Sequence, residues 1–171
     1  AMDLCQSLEM LLAKNKSDGL QAKFLHLRGI IHRDQGNQER AINDLEEAWK
    51  LYKKMEDDAR IGSVTVELGI SYYYQNQIEK AIASYQDAII SYQAANYRRG
   101  ILIARHNLGD ILLQMEDYDS AIRELQIAME MGKKAKIGSL ELSAGLGLAE
   151  AHVALLHLEE AQKILDSLEP L

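Results

Sequence analysis

The sequence predicts an all-α chain of antiparallel helical hairpins stacked into a superhelix, and three observations carry that expectation. The first is a ladder without gaps. Ala41, Ala81, Ala121 and Ala161 lie 40 residues apart, as do Gly29, Gly69, Gly109 and Ala149, and again Leu45, Tyr85, Leu125 and Leu165. A fixed period of this size marks units that cannot bury their apolar faces alone and stack on their neighbours instead. The second is helical spacing within each unit. Ala104, Leu108, Ile111, Leu112 and Met115 share one face, Glu116-Asp117 interrupts, and Ala121, Ile122, Leu125, Ala128 and Met129 resume it. The third is that the single proline of the 171 residues, Pro170, stands beside the C-terminus and leaves every upstream segment free to run as helix.

Taken in order, the pattern gives helices over 2–14, 19–35, 38–55, 59–75, 78–95, 98–115, 118–135, 138–155 and 158–168. One period back from Ala41 lies Ala1, and Cys5, Leu8 and Leu12 fall under Leu45, Ala48 and Tyr52. Residues 1–14 therefore read as the second half of an earlier hairpin, followed by four hairpins at 19–55, 59–95, 98–135 and 138–168. No linker divides them, so one solenoid over 1–171 is expected, cut from or truncated within a larger protein. Gly36-Asn37, Asn76-Gln77 and Asp117 mark turns inside hairpins. Glu39, Glu79, Asp119 and Glu159 sit just inside the second helices, where the positive end of the helix dipole favours a carboxylate. The glycine and alanine columns let neighbouring helices approach closely, a gain that offsets the roughly 1 kcal/mol cost of glycine inside a helix.

A net charge of −7 argues against direct nucleic-acid binding, whose footprint is basic. The basic groups at Arg98-Arg99 and at Lys133, Lys134 and Lys136 fall at expected inter-helix turns and read as solvated. Cys5 is the only cysteine, so no internal disulfide or multi-cysteine zinc site can form. No apolar run is long enough to span a bilayer and no signal-peptide pattern appears in these residues. A cytoplasmic protein with no membrane partner is expected.

The Leu68-Gly69 and Leu108-Gly109 pairs, the aromatic at Tyr72, and Ala81, Tyr85 and Ala88 together resemble the tetratricopeptide repeat. The 40-residue period, and Ala104-Arg105-His106-Asn107-Leu108-Gly109-Asp110 in particular, is similar to its longer-helix relatives: kinesin light chains, GoLoco-binding polarity scaffolds, Rap-type peptide sensors and the solenoids of bacterial transcription activators. The resemblance implies a right-handed α-α superhelix. Arg28 stands where leucine is usual, His32 and His152 where the family buries an aromatic, and Ala149 where glycine is usual.

In that family the first helix of each hairpin lines a concave groove. Carried over residue by residue, the groove residues are Val66, Glu67, Ile70, Tyr73 and Tyr74, then Ile103, His106, Asn107, Asp110, Leu113 and Gln114. Flanking units add Lys23, His26, Ile30, Arg33 and Asp34, and Ser143, Leu146, Glu150 and Val153. Tyr72 is expected to fill the core, leaving Tyr73 and Tyr74 to offer rigid contact area with a polar tip. Asn107 fits the asparagine that relatives use to grip a peptide backbone, since an amide both donates and accepts. The other units carry Leu27, Glu67 and Gly147 there. The clamp for chaperone C-terminal carboxylates would need His26, Ile30, Glu67, Ile103 and Asn107, four of which are unsuitable, so such tails are not expected to bind.

Chemistry finds little support. His26 and His106 occupy one repeat position two units apart, too far to share an ion, and His32 and His152 read as satisfied core histidines. His152 and His157 lack a metal-binding spacing. Gly145-Leu146-Gly147 lies inside a helix with no strand before it and reads as packing or a kink. No nucleophile motif accompanies Cys5 or the serines. No cofactor, no metal and no enzyme activity are expected. The sequence points to a protein-interaction module that holds a peptide or helix in its groove. Alternatives are a ligand- or signal-peptide-sensing regulatory segment of a larger protein, and a structural array that self-associates through its first or last helix.

Overall fold

The computed structural model describes residues 17–168, within which every regular element is an α-helix: α1 Asp18–Asp34, α2 Gln38–Lys54, α3 Asp58–Tyr74, α4 Ile78–Ala94, α5 Arg98–Gln114, α6 Tyr118–Ala135, α7 Gly138–Ala154 and α8 Leu158–Leu168. The helix expected over 2–14 lies outside the described residues. Each helix begins within a residue of its expected start. Three starts are capped by side chains: Ser17, Asp57 and Asp117 accept from the backbone N–H groups of Leu20, Arg60 and Ser120.

The helices end in a shared way. Gly36, Glu56, Asn76, Asn96, Glu116, Lys136 and Leu156 all have positive φ, at intervals of 20 residues. The residue after each of six of these turns reaches back five positions, as when Asn37 N–H donates to His32 C=O and Gln77 N–H to Tyr72 C=O. This closes the last turn and satisfies carbonyls that the helix leaves orphaned.

The small-residue columns meet large ones. A Cβ added at Gly29 would stand 2.7 Å from Leu45 Cγ, one at Gly69 2.7 Å from Tyr85 Cε1, and one at Gly109 2.5 Å from Leu125 Cγ. Each hairpin therefore closes by setting a leucine or tyrosine of its second helix onto a bare stretch of its first. Burying such a side chain contributes about 1.5–3 kcal/mol. Gly145 and Gly147 serve the same purpose in α7, which runs unbroken through them. Leu168 and Met129 close on the first, Leu125 and Leu113 on the second.

The chain groups into two compact units, divided between Ala95 and Asn96. In the first, α1 to α4 pack in sequence around Leu25, Leu45, Tyr52, Ile61, Val64 and Leu68. In the second, α5 to α8 do so, with a core of Ala121, Leu125, Ala128, Ala144 and Leu148.

Two departures from the repeat pattern acquire reasons. Arg28, where leucine is usual, forms a bidentate pair with the buried Asp44, Nε to Oδ2 and a terminal nitrogen to Oδ1 at 2.7 Å each, and lies over the Phe24 ring. A buried carboxylate needs such a partner. Tyr72 does not fill the core as expected. It is half-buried at the core's edge, and its hydroxyl donates to Glu46 Oε1 at 3.2 Å.

Candidate functional site

In the first unit the candidate residues lie on α3. Val66 is only 6% exposed and belongs to the packing between helices. Glu67 is engaged sideways, paired with Arg33 of α1, whose guanidinium also reaches Asp34 Oδ1 at 2.9 Å. Ile70 and Tyr73 are half-buried, whereas Tyr74 is 65% exposed and its ring sits 5.7 Å from that of Tyr73, tilted by 60°. The exposed contact surface here is thus Tyr74, backed by Tyr73.

His26 of α1 is not a groove residue in any open sense. Its ring meets Tyr52 edge-on at 6.0 Å, and its Nε2 is buried with no hydrogen-bond partner. Burial, reinforced by the nearby Arg60 charge, lowers its pKa to about 4. His32 and His152 also differ from the satisfied core histidines that the sequence suggests. Both are half-buried with an unpartnered Nδ1, His32 lying 3.7 Å from Asp44 and His152 5.7 Å, ring to ring, from His157.

In the second unit α5 and α7 touch, and a polar chain runs across them. His106 Nε2 is 2.6 Å from Ser143 Oγ, and His106 Nδ1 is 3.3 Å from Asp110 Oδ2. Burial pushes the Asp110 carboxyl above the usual carboxylate range, Glu150 adds to the shift, and His106 opposes it. Beside this chain Leu146 and Val153 are each 50% exposed. Asn107 and Ile103 are half-buried and Gln114 is exposed. Leu113 packs onto Gly147 at the core's margin rather than facing outward.

A serine, a histidine and an aspartate in series invite comparison with a nucleophile and its base. The surroundings of Ser143 do not support acyl transfer: it stands in mid-helix, where backbone N–H groups are spent on the i−4 carbonyls and leave none to stabilise an oxyanion. What the arrangement can do is recognise. It offers a hydroxyl, an imidazole and carboxylates for hydrogen bonds, with exposed aliphatic side chains for contact area.

Two family models described as tetratricopeptide repeat match residues 22–57 and 60–134, together well over half of the chain. The chain belongs to the tetratricopeptide repeat family. Members generally act as non-catalytic interaction modules, so a role in protein–protein interaction follows at that level.

Solved structures share the fold of this tetratricopeptide protein at low identity. The apo form of RapI is 15% identical with a TM-score of 0.90, the match covering 98% of this chain and 61% of RapI. The STAND protein with a tetratricopeptide repeat sensor from Pyrococcus horikoshii is 17% identical with a TM-score of 0.86, covering 95% and 25%. A Rap protein complexed with Competence and Sporulation Factor is 17% identical with a TM-score of 0.71, covering 89% and 43%. The chain thus spans between a quarter and about three fifths of these proteins' lengths. No curated protein matches it in sequence.

One feature outside the sequence-derived site is a cleft between α2, α3 and α4, lined in part by Trp49, Tyr72 and Ile90. The groove rule considers only first helices, so it passes over a surface built by second helices. The signal available in the sequence was Ile90, an apolar residue beside the buried Ile89.

Proposed function

We propose that this chain binds a peptide or helix of another protein on the faces of its first helices. The observation that carries the reading is the α5–α7 face, where His106 is hydrogen-bonded to Ser143 and lies 3.3 Å from the Asp110 carboxylate, beside the exposed Leu146 and Val153. Polar groups that fix orientation next to apolar contact area make up the composition of a specific interface. Tyr74, backed by Tyr73, supplies an aromatic anchor of the same kind on α3. The Rap protein solved with a bound factor supports the reading by its shared fold.

The test is a selection of displayed peptides on the immobilised protein, followed by affinity measurement on variants. His106→Ala combined with Leu146→Ala should weaken the selected peptide by about 10-fold or more while helicity is unchanged. Unchanged affinity places the site elsewhere. A second reading, a sensory segment whose ligand acts on an attached output domain, is favoured by the likeness to the STAND sensor. A metabolite or signalling peptide that raises Tm by mass action would support it.

A further inference from the structure

The cleft between the second helices α2 and α4, floored by α3, has a volume of about 530 Å3. That lies within the range of ligand-sized cavities, about 300–1,000 Å3. Its floor is Ile61, Thr65 and Leu68, Tyr72 closes one end, and Trp49 and Ile90 face in from the two walls. Ile90 is 63% exposed. The hydroxyls along the cleft are already committed: Thr65 donates to Ile61 C=O at 2.7 Å, Ser84 to Lys80 C=O at 2.8 Å and Ser91 to Asp87 C=O at 3.0 Å. These hydroxyls are therefore not free to orient a small molecule. The cleft offers apolar area along a trough between two helices.

The second unit shows what this trough looks like when the chain fills it. Two periods on, Trp49, Thr65 and Ser84 become Met129, Gly145 and Ile164. Met129 and Ile164 pack against the core, and Met129 Sδ and Leu168 Cδ1 come within 3.2 Å and 2.7 Å of where a Gly145 Cβ would stand. Around Gly145 the second unit is filled by its own side chains, while the first unit is open at the corresponding Thr65.

The two walls each carry one charge without an ionic partner among the described residues, while Glu46, also lining the cleft on α2, is engaged by the Tyr72 hydroxyl. On α2, Lys53 has no carboxylate partner among the described residues and holds its ammonium 5.3 Å above the Trp49 ring, whereas Lys50 is paired with Glu47. On α4, Asp87 has no cationic partner among the described residues. We propose that this cleft docks an amphipathic helix of a partner protein. Its apolar ridge seats between Trp49 and Ile90, its acidic edge faces Lys53, and its basic edge faces Asp87, the helix-in-groove mode of recognition. The site is separate from the first-helix faces.

Trp49 is the only tryptophan of the chain, so its fluorescence reports on this cleft alone. The probe is a synthetic helical peptide with a leucine ridge, glutamates along one edge and lysines along the other, compared with a peptide carrying lysines on both edges. The mixed-edge peptide should give a saturable change in Trp49 emission and bind at least ~10-fold more tightly than the all-lysine peptide. Ile90→Lys and Ser84→Ile should each weaken it by ~10-fold or more. Ser84→Ile introduces the residue found at the second unit's Ile164, and Ile90→Lys, at a position 63% exposed, should leave Tm unchanged, so its loss of binding is not ascribed to unfolding. No saturable change, equal affinity for the two peptides, or indifference to both substitutions would overturn the proposal. So would sedimentation showing that the protein alone forms a dimer that Ile90→Lys dissociates, since a second copy would then occupy the cleft.

Discussion

At one repeat position the first unit carries Tyr52 and Tyr92, and the second carries Gly132. Tyr52 is almost wholly buried and takes the edge of the His26 ring, while Tyr92 covers Gly62. At Gly132 no ring fills the space: a Cβ there would stand 2.9 Å from the backbone nitrogen of Glu141, so α6 and α7 meet backbone to backbone. His26 and His106 share a repeat position as well, yet His26 is pressed against an aromatic and stripped of partners, whereas His106 turns to Ser143 and Asp110. The period dictates where helices lie. How the space between them is filled, by side chain in one unit and by close approach in the other, decides which polar groups are buried and which can meet a partner.

The largest expected effect comes from forcing the first unit's solution on the second. Gly132→Tyr drives a ring into the α7 backbone, which cannot yield as a side-chain tip can, and should cost about 3 kcal/mol or more in denaturant unfolding. Stability near that of the unmodified protein would mean that α6 and α7 can separate without loss.

A middle-sized effect concerns His26 and pH. His26 has a folded pKa near 4 against 6.5 for the ordinary group. Above 6.5 it is neutral in both states and full stability is present. As pH falls from 6.5 towards 4 the unfolded chain takes up the proton first and stability declines, by about 2 kcal/mol at about pH 5. His26→Phe should flatten that part of the profile measured by chemical denaturation, and an unaltered profile would assign the pH dependence to other groups.

The smallest effect concerns the turns. The first unit places Gly36 and Asn76 at its positive-φ positions inside hairpins, and the second places Glu116 and Leu156 there. Leu156 is 80% exposed at φ 62°, so it bears the left-handed cost with little packing in return. Leu156→Asn, borrowing the residue of Asn76, should raise stability by about 1 kcal/mol. A drop in stability would show that the leucine makes contacts worth more than that cost.

Much of the fold was legible in the sequence because its causes are local or periodic. Turn residues and apolar spacing located eight helices, and the Gly29, Gly69 and Gly109 column announced the leucine and tyrosine contacts that close each hairpin. The candidate site was legible only as a face. The family resemblance placed Glu67, Val66 and Leu113 on it, but not the Arg33 pairing, the burial and the Gly147 contact that remove them from an open surface, because those depend on which neighbour comes near. Arg28 looked like a defect until Asp44, 16 residues on, supplied its counter-charge. Tyr72 was assigned to the core by family habit, and the open trough beside it, with Glu46 in reach of its hydroxyl, drew it to the edge.

The left-handed residues recur every 20 positions although the packing columns recur every 40. A deletion or duplication of one helix with its turn would therefore splice without backbone strain, yet it would exchange the roles of every first and second helix downstream, setting small residues where large ones belong. Only changes in whole hairpins keep both rhythms in step. An array of this kind can lengthen or shorten during evolution by pairs of helices, and odd steps are punished by packing rather than by the chain's own geometry.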